Sequence, residues 1–167
     1  VPRQMSKFLR FFFLAVNFSI GPTIAHLHAE GRLDELKSLG PKTVRFATML
    51  VLPVVIVMLV VPEVFLGVYG DEYLGQANVF RVMVCTELVN IVLGSVAIWL
   101  MMTGHERLAL RGAIAGLIVG VAVNLLLAPS MGAMGSAIAM LSALLVTKLV
   151  LTRYIWIHLG INPTLFG

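Results

Sequence analysis

Residues 108–128 read LALRGAIAGLIVGVAVNLLLA, 21 positions in which Arg111 is the one charge. An α-helix rises about 1.5 Å per residue, so a run of this length covers the roughly 30 Å of hydrocarbon in a bilayer. Within it Gly112, Gly116, Gly120 and Asn124 recur every fourth position. That spacing lines three small side chains and then an amide along one helical face, where another backbone can approach closely. Gly135, Ala139 and Ala143 set a second small-residue stripe on the next apolar run, Gly135 to Ile157. The short connection Pro129 to Met134 makes these two helices antiparallel neighbours, and helix packing is the leading use of both stripes.

The rest of the 167-residue chain repeats the pattern, with further apolar runs at Phe8 to His28, Thr43 to Leu66 and Ala77 to Met102. Hydrophobic residues make up 59% of the sequence and charged residues 12%, against roughly 25% charged in ordinary soluble domains. Strand-like alternation is missing, which sets aside a β-barrel. The expected fold is an all-α integral membrane protein with five transmembrane helices in a single lobe.

Basic residues set the expected orientation. The first connection, with an amphipathic segment over residues 29–42, is read as carrying Arg32, Lys37, Lys42 and Arg45. The second connection carries Glu63, Asp71 and Glu72 and no base. Cytoplasmic loops collect Lys and Arg, so the first connection is cytoplasmic. Arg107, Arg111 and Arg153 continue the alternation and place the C-terminus in the cytoplasm. Arg3, Lys7 and Arg10 sit on the wrong side for this scheme, and no start methionine or signal peptide opens the chain. The expectation is a longer protein cut before Val1, with a valine-codon start as the alternative.

The net charge of +4 does not call for nucleic acid, because the bases cluster at helix ends, where topology and anionic lipid headgroups account for them. Cys85 is the one cysteine, which leaves no internal disulfide and no cysteine metal cluster. His26, His28 and Glu30 alternate, a spacing that spreads them around a helix, so no metal site is expected. No phosphate-cradling lysine loop, carboxylate pair or nucleophile with a base stands at a recognisable spacing. Neither an enzyme nor a cofactor is expected.

Charges at membrane depth mark candidate sites, since each costs at least ~2.5 kcal/mol at a helix centre unless it faces protein or water. Glu87 and Lys148 are the two. They sit ~15 Å and ~20 Å from the outer ends of their spans, where long side chains can meet either as a buried ion pair or as the lining of a cavity. Asn90 and Gly94 extend the face of Glu87 at helical spacing. Arg81, near the outer end of the third span, serves an anionic substrate or the membrane interface. Asn17 and Ser19 line a polar pocket or bond to a neighbouring helix. Gly21-Pro22 and Pro53 remove amide donors inside their spans and are expected to kink them, as packing features or as hinges. Leu33, Leu36 and Leu39 repeat among Arg32, Asp34, Glu35 and Lys37, which predicts a short amphipathic helix on the cytoplasmic surface.

Five motifs follow in order: Gly21-Pro22-Thr23-Ile24-Ala25, Glu30-Gly31-Arg32-Leu33-Asp34-Glu35-Leu36, Tyr69-Gly70-Asp71-Glu72-Tyr73, Thr103-Gly104-His105-Glu106-Arg107 and the run from Pro129 to Ala139. Together they resemble the polysaccharide biosynthesis flippases of the multidrug/oligosaccharidyl-lipid/polysaccharide exporter superfamily. The resemblance implies that the five spans belong to the six-helix C-terminal lobe of a two-lobe transporter. It further implies alternating access around a cationic cavity, a lipid-linked oligosaccharide as substrate, and residence in the cell membrane. The partners it implies are the bilayer, a missing N-terminal lobe or second copy, and polysaccharide assembly proteins. On this reading Arg81 and Lys148 meet the anionic headgroup, Glu87 positions Lys148, and Pro22 and Pro53 permit rocking. A multidrug and toxin extrusion antiporter for organic cations is the alternative within the superfamily. A non-transporting scaffold, with Glu87 and Lys148 paired in a dry core, is the alternative outside it.

Overall fold

A computed structural model of the protein describes residues 22–67 and 75–159, and all regular structure among them is helical. Helix α1 covers residues 22–29, followed by α2 (Leu33–Val60), α3 (Pro62–Gly67), α4 (Ala77–Val92), α5 (Val96–Met102), α6 (Glu106–Met131) and α7 (Ala133–Leu159). Four segments are long and apolar enough to cross a membrane: Ser38–Val60, Ala77–Met102, Glu106–Met131 and Ala133–His158. Their lengths of 23 to 26 residues correspond to about 35–39 Å of helix. Most of the first expected span lies outside the described residues, with Asn17, Ser19 and Gly21 in it, as does the Tyr69 to Tyr73 motif.

Several boundaries differ from expectation, and the second expected span, Thr43 to Leu66, is divided at Val61 between α2 and α3. The amphipathic segment of the first connection does not stand apart as a surface helix, because α2 runs unbroken from Leu33 through Pro41 and Pro53 to Val60. Gly40, Val44, Ala47, Val51, Val55 and Met58 are buried at spacings of three and four, so one stripe continues across the join and keeps the helix in phase. The third span is not one helix. Its chain breaks at Leu93-Gly94-Ser95, where Gly94 has φ 70°, and Gly94 therefore does not extend the helical face of Glu87 and Asn90. A left-handed conformation is open to glycine at little cost and ends the helix there.

Two apolar clusters hold the elements together. Val51, Val55, Met58, Leu66, Phe80 and Val84 join α2, α3 and α4. Ile24, Val96, Trp99, Leu100, Leu151 and Ile155, with Ala109, join α1, α5, α6 and α7. Many large apolar side chains face outward, including Leu110, Ile114, Ile118 and Leu125 on α6. That would be a liability in water and is the expected surface in lipid.

Lipid removes the hydrophobic drive for helix association, so α6 and α7 rely on close packing. A Cβ on Gly112 would meet Leu151, one on Gly116 would meet Thr147 and the Ala143 carbonyl, and one on Gly120 would lie 2.8 Å from the Ala143 Cβ. The partner moves back four residues as the glycine moves forward four, which defines an antiparallel pair in direct contact. Gly135 closes the same interface against the Leu127 carbonyl, where an added Cβ would lie at 2.5 Å. The expected connection shrinks to Gly132, whose φ of 56° turns the chain between α6 and α7.

Candidate functional site

The break between α4 and α5 rearranges main-chain hydrogen bonds at membrane depth. In a continuous helix the Gly94 amide would donate to the Asn90 carbonyl and the Ile98 amide to the Gly94 carbonyl. Instead Gly94 N–H bonds the Ile91 carbonyl at 2.9 Å, and Ile98 N–H bonds the Ser95 carbonyl at 2.9 Å. The carbonyls of Asn90 and Gly94 thus lose their helical donors within an apolar span, where an unsatisfied main-chain group is costly.

Lys148 supplies the replacement. Its ammonium donates to the Gly94 carbonyl and, at 3.4 Å, to the Asn90 carbonyl. The side chain is only 8% exposed. A cation at this place also meets the negative C-terminal end of the α4 dipole. Lys148 lies about 22 Å from the Ala133 end of α7, and Gly94 about 25 Å from the Ala77 end of α4, so the two stand at matching depth.

Glu87, one turn before Asn90, is 5% exposed. Its carboxylate accepts a long hydrogen bond of 3.4 Å from the Asn90 side-chain amide. No ion pair joins it to Lys148 among the described residues. Asn90 therefore links the two charges, through its amide to the acid and through its main-chain carbonyl to the base.

Glu87, Asn90, Thr86, Gly116 and Thr147 line a cavity of about 280 Å³ between α4, α6 and α7. The threonine hydroxyls donate to carbonyls of their own helices, Thr86 to Val82 and Thr147 to Ala143, both at 2.8 Å. Their lone pairs remain as acceptors beside the carboxylate. A wider groove of about 640 Å³ adjoins it, sharing Leu117, Met140 and Ala143 and reaching Gln76, Asn124 and Ser136. The result is an apolar groove, called the channel below, with an acidic, hydroxyl-bearing inner end.

The other candidates lie elsewhere. Arg81 is exposed and donates to the Leu59 carbonyl at 3.2 Å and to Asn78 at 3.4 Å, tying the start of α4 to the end of α2. It is six residues from Glu87, about 9 Å along the helix, and does not join the cavity. Pro22 and Pro53 are both exposed. Gly112, Gly116, Gly120 and Gly135 occupy the α6–α7 interface, and Gly116 and Gly120 also border the channel. Asn17 and Gly21 lie outside the described residues.

Outside the membrane-crossing segments, Arg32 bridges Glu35 at 2.6 Å and Glu30 at 3.1 Å, while His26 approaches Glu30 at 3.3 Å. Hydrogen bonds from the guanidinium to Glu35 and then Glu30 raise the Arg32 pKa further above its ordinary value. This network is solvent-facing and orders the turn into α2. No cluster of three metal-ligating side chains occurs among the described residues.

Sequence reasoning missed the break and the two threonines. Gly94-Ser95 was the available signal, since Gly/Ser pairs are a recognised cause of helix kinks. Four helices are long and apolar enough to cross a bilayer, the make-up of a multi-pass membrane protein, and three of them, α4, α6 and α7, line this groove. No family model, curated protein or solved structure matches the chain.

Proposed function

We propose that the chain is one lobe of an alternating-access transporter that moves a lipid-linked oligosaccharide from the cytoplasmic to the outer leaflet, completed by a second lobe or a second copy. The observation that carries this reading is the interrupted third span with two buried charges beside a channel at membrane depth. Ionisable residues and broken helices are expensive in lipid and recur where polar cargo crosses. An anionic pyrophosphate and sugar headgroup needs such a polar path, and Lys148 is the cation nearest to it. The test is translocation of a fluorescent lipid-linked oligosaccharide by the intact protein in proteoliposomes. Protein-dependent movement supports the reading, and movement no faster than in empty vesicles rejects it.

One observation favours the organic-cation antiporter as a second reading. Glu87 lines the cavity, while the Lys148 ammonium is directed at main-chain carbonyls. Ion-dependent efflux of lipophilic cations by the intact protein, with normal surface polysaccharide in its absence, reverses the order of the two.

A further inference from the structure

The α4–α5 break has two self-consistent ways to satisfy its main chain. In the conformation seen here, the Gly94 and Ile98 amides fold back on Ile91 and Ser95, and Lys148 serves the Asn90 and Gly94 carbonyls. In the other, the same amides donate to Asn90 and Gly94 in ordinary helical register, and α4 and α5 become one helix from Ala77 to Met102. Glycine permits both, because it occupies left- and right-handed conformations with little difference in energy. What differs is the place of the lysine. Straightening the helix takes these two acceptors away, which favours a move of the buried ammonium to another acceptor nearby.

Glu87 is that acceptor. It lies one turn before Asn90, borders a cavity with room for the ammonium, and among the described residues accepts one hydrogen bond, the long one from Asn90. We propose that Lys148 is a two-position latch, which holds the α4–α5 break when bonded to the Asn90 and Gly94 carbonyls and releases it into a straight helix when it turns to the Glu87 carboxylate. Among the described residues that line the cavity, Glu87 is the one titratable group. The α6 positions at this level are Ala113, Gly116 and Leu117, and α5 carries no ionisable residue.

The lever is α5. Its Val96, Trp99 and Leu100 are buried against Ile24, Leu151 and Ile155, so straightening must repack that cluster and shift the turn into α6. Such a two-state element is what a conformational change in a membrane transporter requires. The latch operates whichever solute is carried, so it stands or falls separately from the transport reading.

Cys85 and Met102 are both exposed and lie on opposite sides of the break, and Cys85 is the chain's only cysteine. Spin labels on Cys85 and on M102C report the distance across the break by pulsed electron resonance, with the intact protein in lipid nanodiscs. A straight helix places these positions about 25 Å apart along the axis. Lys148→Met removes the cap and is expected to move the distribution to that straight-helix distance. Glu87→Leu removes the alternative acceptor and is expected to leave only the broken-helix distance. Gly94→Ala penalises the left-handed conformation and is expected to enrich the straight form roughly fivefold or more, which keeps the test available if Lys148→Met fails to insert. A distribution unchanged from the parent in both Lys148→Met and Gly94→Ala, or in Gly94→Ala alone where Lys148→Met is not recovered, overturns the latch.

Discussion

Lys148 of α7 is hydrogen-bonded to the main-chain carbonyl of Gly94, 54 positions earlier, and so supplies from one span the donor that the break in another has lost. The pairing of a cation with a broken helix end, rather than with the nearby carboxylate, separates two roles. Lys148 stabilises main chain, and Glu87 faces the cavity.

On the proposed flippase reading, Lys148→Ala is expected to lower flipping at least about tenfold, equivalent to about 1.4 kcal/mol, with membrane insertion unchanged. Loss of the ammonium removes both the helix cap and the cation nearest the channel. Proteoliposome flipping together with membrane-fraction yield checks this. Unchanged flipping removes Lys148 from the transport site.

Arg81→Ala is expected to have the smaller effect. Its guanidinium joins α4 to the Leu59 carbonyl at the exposed end of α2, away from the cavity. Flipping that falls as far as in Lys148→Ala would place Arg81 on the substrate path in another conformation. Side by side, the two variants rank the cations that the sequence offers.

The glycines of the α6–α7 pair are expected to differ in tolerance. At Gly112 an added methyl meets the buried Leu151 side chain, with Cγ at 2.8 Å, so a side chain rather than main chain has to repack. At Gly116 and Gly135 it meets the carbonyls of Ala143 and Leu127, at 2.7 and 2.5 Å, and main chain cannot give way without separating the helices. Gly116→Ala and Gly135→Ala should each cost about 1–3 kcal/mol, the range of overpacking, and Gly112→Ala less. Thermal unfolding in detergent, measured for all three, gives the ranking.

The long apolar runs made four segments able to cross a bilayer legible from composition alone, because the length such a helix needs follows from lipid thickness. The glycine stripe at 112, 116 and 120 was legible too, since packing in lipid selects small residues at helical spacing. Gly94 was harder to read. It falls at helical spacing from Asn90, and only its main-chain angle distinguishes a packing glycine from a breaking one. Depth arithmetic brought Glu87 and Lys148 to the same region but not to their partners, because the carbonyls that attract the lysine exist only once the helix is broken. Thr86 and Thr147 carry no sequence signal of their own, as their position on the cavity follows from the rotation of α4 and α7 about their axes.

Water access to the channel separates a transporter from a scaffold with a dry core. Thr147 borders the cavity beside Glu87, whereas Val55 is fully buried between α2 and α4. With Cys85 replaced by Ser, Thr147→Cys is expected to react with a membrane-impermeant maleimide in at least one conformational state, and Val55→Cys in none. The contrast matters more than either rate, because a loosened fold would label both. Reaction at 147 alone means that water reaches the acid at the channel's inner end, where a polar headgroup or a cation would have to pass. Silence at 147 under every condition, in protein that still inserts, leaves Glu87 and Lys148 as structural charges and favours the scaffold.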